Sequence, residues 1–469
     1  MNTISEFFRN KTILITGATG FLSKPVVAKI LTDLPDIKRI YLLIRNRTEP
    51  NGKVSSAADR LEDEFFTSSV FTKLRQIHGD RFDSWIREKV YAVDGDLSYE
   101  RLGMSNARYE ELQGGVQIFI NSGGLVNFDP PIDMSLHSNV LGARHAVEFV
   151  RGCNDAVLIH VSTAYVCGTT PGRISEELHP PFEVYAQKIA EETRERIPCS
   201  LEEEIEDVQQ ITDKIRAEAD ESPRSDQFRR EALDQIGAER EDSEGYRRQY
   251  EGIRKKWIEQ RLVDEGLKRA QSRGWNDTYT YMKALGEQMV AKTRGELPVA
   301  IIRPSIIESS LEDPQPGWLD GLRMADPLIV GFGKGRLPDF PADPDIILDI
   351  IPVDFVVNAI LTVAKQTYQR RGIEVYHVAT GSQNPLYFRN IVDASHDHFI
   401  KYPMLDSGKP IPPPVWKYPG LEKFQRKLSR KLGALKAAGR VLDLIPLRWS
   451  RQRNRRIAVI QNALEGLQY

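Results

Sequence analysis

An α/β fold, a Rossmann-type doubly wound parallel sheet with a helical insert and a small C-terminal helical segment, is predicted by three observations. Short apolar, β-branched runs recur through the first third of the 469-residue chain. Helical stretches separate them, as crossover connections between parallel strands require. A glycine turn joins the first run to the first helix, the place where such a sheet receives a dinucleotide.

The elements follow in order. Lys11–Thr16 reads as a strand buried on both faces. Gly17-Ala18-Thr19-Gly20 turns the chain into an amphipathic helix from Phe21 to Asp33. A strand, a glycine turn and a helix N-terminus bring backbone N–H groups against a pyrophosphate. Thr16, Gly17, Thr19, Gly20, Phe21 and Leu22 are therefore candidate cofactor contacts. The spacing is G-x-x-G-x-x-S, with Ser23 where a third glycine often stands. Arg39–Ile44 is the second strand, and Arg45-Asn46-Arg47 follows its tip. An acid at that tip would hold a ribose 2′-hydroxyl; Arg45 and Arg47 instead suit the 2′-phosphate of NADPH. Lys89–Val93 runs into an adenine-side loop carrying Asp96 and Leu97. Val116–Asn121 ends at Ser122-Gly123-Gly124, where small residues let the backbone approach a ribose, and Asn139 lies in the next helix. Ala156–Val161 ends at Ser162-Thr163-Ala164-Tyr165.

Tyr279 and Lys283 carry the chemistry. Four residues apart on a helix, they share a face, and a cation beside a phenol favours phenolate and makes it a usable acid or base. Tyr281 points elsewhere. A strand-end hydroxyl, from Thr163 or Ser162, completes a carbonyl-reduction site by hydrogen-bonding the substrate oxygen. Thr163 stands five residues before Gly168, the spacing of extended short-chain dehydrogenase/reductases, which favours it.

Several segments resemble fatty acyl-CoA reductases: Thr16–Leu22, Ile40–Arg45, His160–Tyr165, Asp277–Lys283, Ile302–Ser309, Pro316-Gly317-Trp318 and Asp349–Asp354. They occur in the family's order between about residues 10 and 390. The resemblance implies NADPH-dependent reduction of a long-chain acyl-CoA, in many members through to the alcohol. It implies Thr163, Tyr279 and Lys283 as catalytic residues. Asn121, Ser122, Gly123, Lys283, Pro304, Ser305 and Ile306 join the implied cofactor contacts. Ser23 and Ser122-Gly123-Gly124 depart from the family pattern. Three other readings stay open. One is a thioester reductase giving aldehyde from acyl-CoA or a carrier-bound chain, another a sugar-nucleotide epimerase, the third a non-catalytic NADP-binding protein.

Thr163 and Tyr279 lie 116 positions apart, more than a compact dehydrogenase needs. The excess, about residues 175–272, is charged and helical. Leu201, Ile205, Val208, Ile211 and Ile215 form one apolar stripe; Tyr246, Tyr250, Ile253 and Trp257 form another. These predict two antiparallel helices joined by a mobile charged segment, Ala219 to Asp242. The pair would serve as a cap over the site or as an oligomer interface. Residues 1–384 are thus expected to form the catalytic domain and 385–469 a helical, basic segment. From Lys417 to Arg456 there are 13 Lys or Arg against Glu422 and Asp443, with Leu421, Phe424, Leu428, Leu432 and Leu435 on one face. That pattern suits an anionic membrane surface, the CoA phosphates, or simply a solvated basic rim.

Composition excludes several classes. Net charge is −2, so the charge balance does not advertise a nucleic-acid partner. Residues 1–10 are polar and carry Glu6, unlike a signal or transit peptide. No apolar run approaches the length of a membrane span. The cysteines, Cys153, Cys167 and Cys199, have no metal-like spacing and suit a reducing cytosol. A cytoplasmic protein, with peripheral membrane association as the alternative, is the expectation.

Overall fold

The computed structural model describes residues 3–430 apart from 50–51, 194–196, 199, 237–242, 323–324, 338–339, 421, 425 and 427–428. The basic amphipathic helix expected over Lys417–Arg456 lies largely outside these residues. The chain divides into two compact units, one of residues 1–320 with 351–379, the other of 321–350 with 380–469.

The first unit is built on a seven-stranded sheet. Its strands are β1 (Thr12–Thr16), β2 (Arg39–Ile44), β3 (Val90–Asp94), β4 (Ile118–Asn121), β5 (Val157–Val161), β6 (Val299–Pro304) and β7 (Ile373–Val378). They lie in the order β7-β6-β5-β4-β1-β2-β3, every neighbouring pair parallel. Alternation along the strands divides the core. Ile13 and Ile15 face a layer containing Val26 and Ile30 of α1 (Ser23–Asp33), whereas Leu14 and Phe119 face Ala146, Val147 and Phe149 of α2 (Gly142–Arg151). The order reverses between β4 and β1, the switch point at which a dinucleotide binds across the strand ends.

The insert forms helices α3 (Phe182–Thr193), α4 (Leu201–Asp220), α5 (Arg224–Ile236) and α6 (Glu244–Ser272). The expectation of a mobile charged link between two helices is corrected by α5. Phe228 and Ala232, four residues apart, are buried, and Phe228 packs its ring near Tyr250 and Trp257 of α6. A polar helix needs only this narrow stripe to dock. Helix α7 (Thr278–Thr293) returns the chain to the sheet. The first unit closes with α9 (Val353–Arg370), whose Val356 and Ile360 join the α1 side of the core.

In the second unit, α8 (Asp326–Gly333) packs Phe332 near Phe399 of α10 (Phe388–Lys401). Trp416 stacks on Phe340 at 5.1 Å. Lys409–Pro410 pairs with Leu405–Asp406 in a two-stranded hairpin.

Candidate active site

The glycine turn is held against the β4 tip by a hydrogen-bonded strap. Thr16 Oγ1 donates to Asn121 Oδ1 at 2.7 Å and accepts the Gly123 N–H at 3.0 Å. Gly17 has φ of +67°, and a Cβ there would sit 2.6 Å from Ser122 O. A Cβ on Gly123 would lie 2.9 Å from Thr16 Oγ1. Only glycine fits this close approach. The two departures from the family pattern answer one another: Ser23 Oγ and Ser122 Oγ are 2.8 Å apart, and Ser122 Oγ donates to Thr16 O. The polar groups that replace smaller residues are therefore satisfied in place. Helix α1 begins at Ser23, so Phe21 and Leu22 belong to the turn rather than to the helix. Phe21 stacks on Trp318, rings 5.5 Å apart, which ties the Pro316-Gly317-Trp318 run to the turn.

At the β2 tip the two arginines differ. Arg47 is engaged by Glu49 at 2.7 Å and Glu64 at 2.9 Å. Arg45 is well exposed and has a looser partner in Asp96, 3.7 Å away. A third arginine, missed in the sequence, is almost fully buried between them and the turn. Arg60 donates to Arg45 O at 2.7 Å, reaches Thr19 Oγ1 at 3.4 Å, and is clamped by Glu64. It opens no recognisable motif; its position 41 residues from Thr19 is a property of the fold. Leu97 packs on Gly123 and Gly142, and Asp96 accepts the Ser98 N–H.

Helix α7 positions the reactive groups. Asp277 caps it, accepting the Thr280 N–H at 2.7 Å. Tyr279 is partly exposed, and its N–H donates to Phe128 O. Tyr281, by contrast, is fully buried and donates to Glu204 of α4 at 2.6 Å. Glu204 is also gripped by Arg269 of α6 at 2.5 and 2.8 Å. Tyr281 thus fastens the insert to α7. Lys283 is buried and donates to Val161 O at 2.7 Å, immediately below the strand-end hydroxyls. One turn further on, Glu287 pairs bidentately with Arg303 of β6, both fully buried, and Arg303 Nη1 meets His377 at 3.2 Å.

Thr163 is buried, and its Oγ1 accepts the Tyr165 N–H at 3.3 Å, capping a short turn that ends at Gly168. Gly168 is required there: φ is +59°, and a Cβ would meet Gly274 O at 2.4 Å. Ser162 Oγ and Ser305 Oγ, at the ends of β5 and β6, are buried without a hydrogen-bond partner among the described residues. His160 Nε2 is a third orphan; its Nδ1 faces Asn121 Nδ2 at 3.1 Å. Burial, with Lys283 nearby, holds His160 well below its ordinary pKa, so it is neutral.

Electrostatics set the protonation state of the pair. Burial, reinforced by the Asp277 carboxylate, pushes the Tyr279 phenol up to about 12. Burial lowers Lys283 itself to about 8, with Glu287 opposing the change. Tyr279 therefore stands protonated near neutral pH, the state a proton donor needs.

Thr16, Gly17, Arg45, Asp96, Asn121, Thr163 and Ser305 all lie at or just beyond the carboxyl ends of the sheet strands. A glycine cradle, an arginine-bearing β2 tip and orphaned hydroxyls beyond β5 and β6 fit a nicotinamide dinucleotide along that edge.

An NAD-binding family model described as male sterility protein matches residues 15–360. A probable fatty acyl-CoA reductase 5 from Arabidopsis thaliana is 36% identical over 85% of this chain and 72% of its own. An alcohol-forming fatty acyl-CoA reductase from Simmondsia chinensis is 32% identical over 87% of this chain and 74% of its own. Among solved structures, the terminal R domain of the myxalamid biosynthetic pathway superposes with a TM-score of 0.53 at 18% identity, covering 90% of this chain and 75% of that one. At that identity the likeness is one of fold.

Proposed function

The chain belongs to the fatty acyl-CoA reductases of the male sterility family, and from that premise we propose that it reduces a long-chain fatty acyl-CoA to the fatty alcohol with release of CoA, using NADPH. The observation that carries the reading is the division of labour on α7. Tyr281 is committed to Glu204, while Tyr279 stays protonated one turn above a lysine fixed to the β5 strand end.

Bound cofactor would supply the hydride equivalents, one to convert thioester to aldehyde and one to convert aldehyde to alcohol. Thr163 and Tyr279 donate hydrogen bonds to the carbonyl oxygen as negative charge develops on it. The tetrahedral thiohemiacetal oxyanion then collapses, re-forming the C=O bond as the C–S bond breaks and expelling the CoA thiolate. In the second reduction Tyr279 passes its proton to the alkoxide, a far stronger base than phenolate, so a raised phenol pKa is no obstacle. Lys283 holds the cofactor ribose and stabilises the phenolate that remains. Thr16, Gly17, Thr19, Gly20, Phe21, Leu22, Asn121, Ser122 and Gly123 line the dinucleotide. Pro304, Ser305 and Ile306 flank its nicotinamide end.

For cofactor choice, Arg45 and Arg60 support NADPH. Arg45 is lightly paired at the 2′-phosphate position, and Arg60 sits beneath it. Arg47, held by two glutamates, is a secondary contact. We place the protein in the cytoplasm with its basic segment beyond Lys417 at anionic lipid, where acyl chains partition. Among the described residues no helix is long and apolar enough to cross a membrane. Flotation with anionic but not neutral vesicles is expected; absence from both would remove the lipid assignment.

The function is tested by NADPH oxidation with palmitoyl-CoA and extraction of the product. Fatty alcohol is expected. Aldehyde as the accumulating product would limit the enzyme to a two-electron reductase.

A further inference from the structure

Helix α6 runs past the amino-terminal end of α7 in close contact. A Cβ on Gly266 would lie 2.9 Å from Thr278 Oγ1 and 3.1 Å from Ile132 Cβ. One turn back along α6 a groove of about 520 Å³ opens between this helix, Arg216 of α4 and the short helix Ile132–Ser135. Its lining is apolar at Pro131, Met134, Ile258 and Leu262 and charged at most other positions, with Gly252 at the far end. Met134 is 51% exposed, a large apolar side chain left uncovered.

A short stretch of chain leads from the segment beside Tyr279 to the groove wall. Phe128, itself 52% exposed, gives its carbonyl to the Tyr279 N–H, and Pro131 and Met134 follow in sequence. From Leu262 back to Gly252 the α6 wall is roughly 15 Å long at 1.5 Å per residue. That length suits a long acyl chain and far exceeds an acetyl group.

Charge on the rim chooses among parts of the substrate. Each cation has its own carboxylate: Arg216 with Asp133 at 2.8 Å, Arg254 with Asp220 at 2.7 Å, Lys255 with Glu259 at 3.7 Å. A rim neutralised in this way offers little to the phosphates of CoA and leaves the apolar lining positions as the attraction.

We propose that this groove binds the acyl chain of the substrate, so that α6 and the Ile132–Ser135 helix set chain-length preference. The assignment rests on the acyl-CoA reading above. The thioester lies at Tyr279, the first methylenes pass Phe128, and the distal chain lies along α6 toward Gly252.

Gly252 provides the test, because among the described residues a Cβ there meets nothing within 4 Å and the substitution also removes a poor helix former. Gly252→Trp is expected to place its indole at the far end of the groove, where a Cβ meets no packed neighbour. Gly245→Trp, on the same helix, equally open and outside the groove, is the control. Each methylene taken from water strengthens binding about fourfold. Gly252→Trp should therefore lower kcat/KM for palmitoyl-CoA by about tenfold or more while changing octanoyl-CoA by less than about twofold. Gly245→Trp should change neither. Equal losses for both chain lengths, or no loss, would overturn the assignment. A second readout needs no turnover: a fluorescent polyene fatty acid should bind the full chain, and Gly252→Trp should weaken that binding by a similar factor. Unaltered binding would count against the groove. Polyene binding that depends on Gly252, in a protein that reduces no acyl-CoA, would remove the functional reading and leave the groove standing.

Discussion

Tyr279 and Tyr281 are neighbours in sequence with opposite surroundings, and the difference predicts opposite phenotypes. Tyr279→Phe removes the proton donor, so kcat should fall by about 10²–10⁴ with cofactor binding retained. Tyr281→Phe leaves the chemistry in place and strips a donor from the buried Glu204. It should cost about 1–3 kcal/mol in denaturant unfolding while activity per folded molecule persists. Lys283 gives the pH dependence. It works as the cation, which is present below its pKa of about 8, so rate should decline as pH rises through that value. The groups around it are neutral His160, the Val161 carbonyl and Glu287, of which only Glu287 raises its pKa. Glu287→Gln should therefore move the alkaline limb of the pH–rate profile to lower pH. Because Arg303 is left buried without its carboxylate, the same change should cost about 3–5 kcal/mol of stability. The i,i+4 spacing of Tyr279 and Lys283 was legible because a helix face follows from counting residues. The commitment of Tyr281 was not, since its partner lies 77 positions away in the insert.

Strand tips and their following turns make up the cofactor edge, and the sequence marked most of them because buried parallel strands are apolar runs ending in small residues. Arg60 was invisible for the converse reason. It lies in a short helical segment with no periodic signal and reaches the glycine turn only through the fold. Arg60→Ala should raise KM for NADPH roughly tenfold or more, the value of a charge-assisted contact, and leave KM for NADH nearly unchanged. Equal effects on both cofactors would assign Arg60 to turn geometry alone. Helix α5 was hidden by composition: Phe228 and Ala232 are a small buried face on an otherwise charged segment, and charge density was read as mobility.

At the scale of the whole molecule, the parallel sheet and α7 carry the candidate reactive groups, and the insert is bound to α7 through the Tyr281–Glu204–Arg269 cluster. Sequence periodicity announced the sheet and the excess length of the insert. It could not announce the groove along α6, because Pro131, Met134, Ile258 and Leu262 come together only when α6 packs beside the Ile132–Ser135 helix. The proposed activity is a four-electron reduction of long-chain acyl-CoA. Its most direct test counts NADPH oxidised against CoA thiol released with palmitoyl-CoA as substrate. A ratio of two NADPH per CoA is predicted, abolished in Tyr279→Phe. No NADPH oxidation dependent on acyl-CoA in the intact protein would contradict the account.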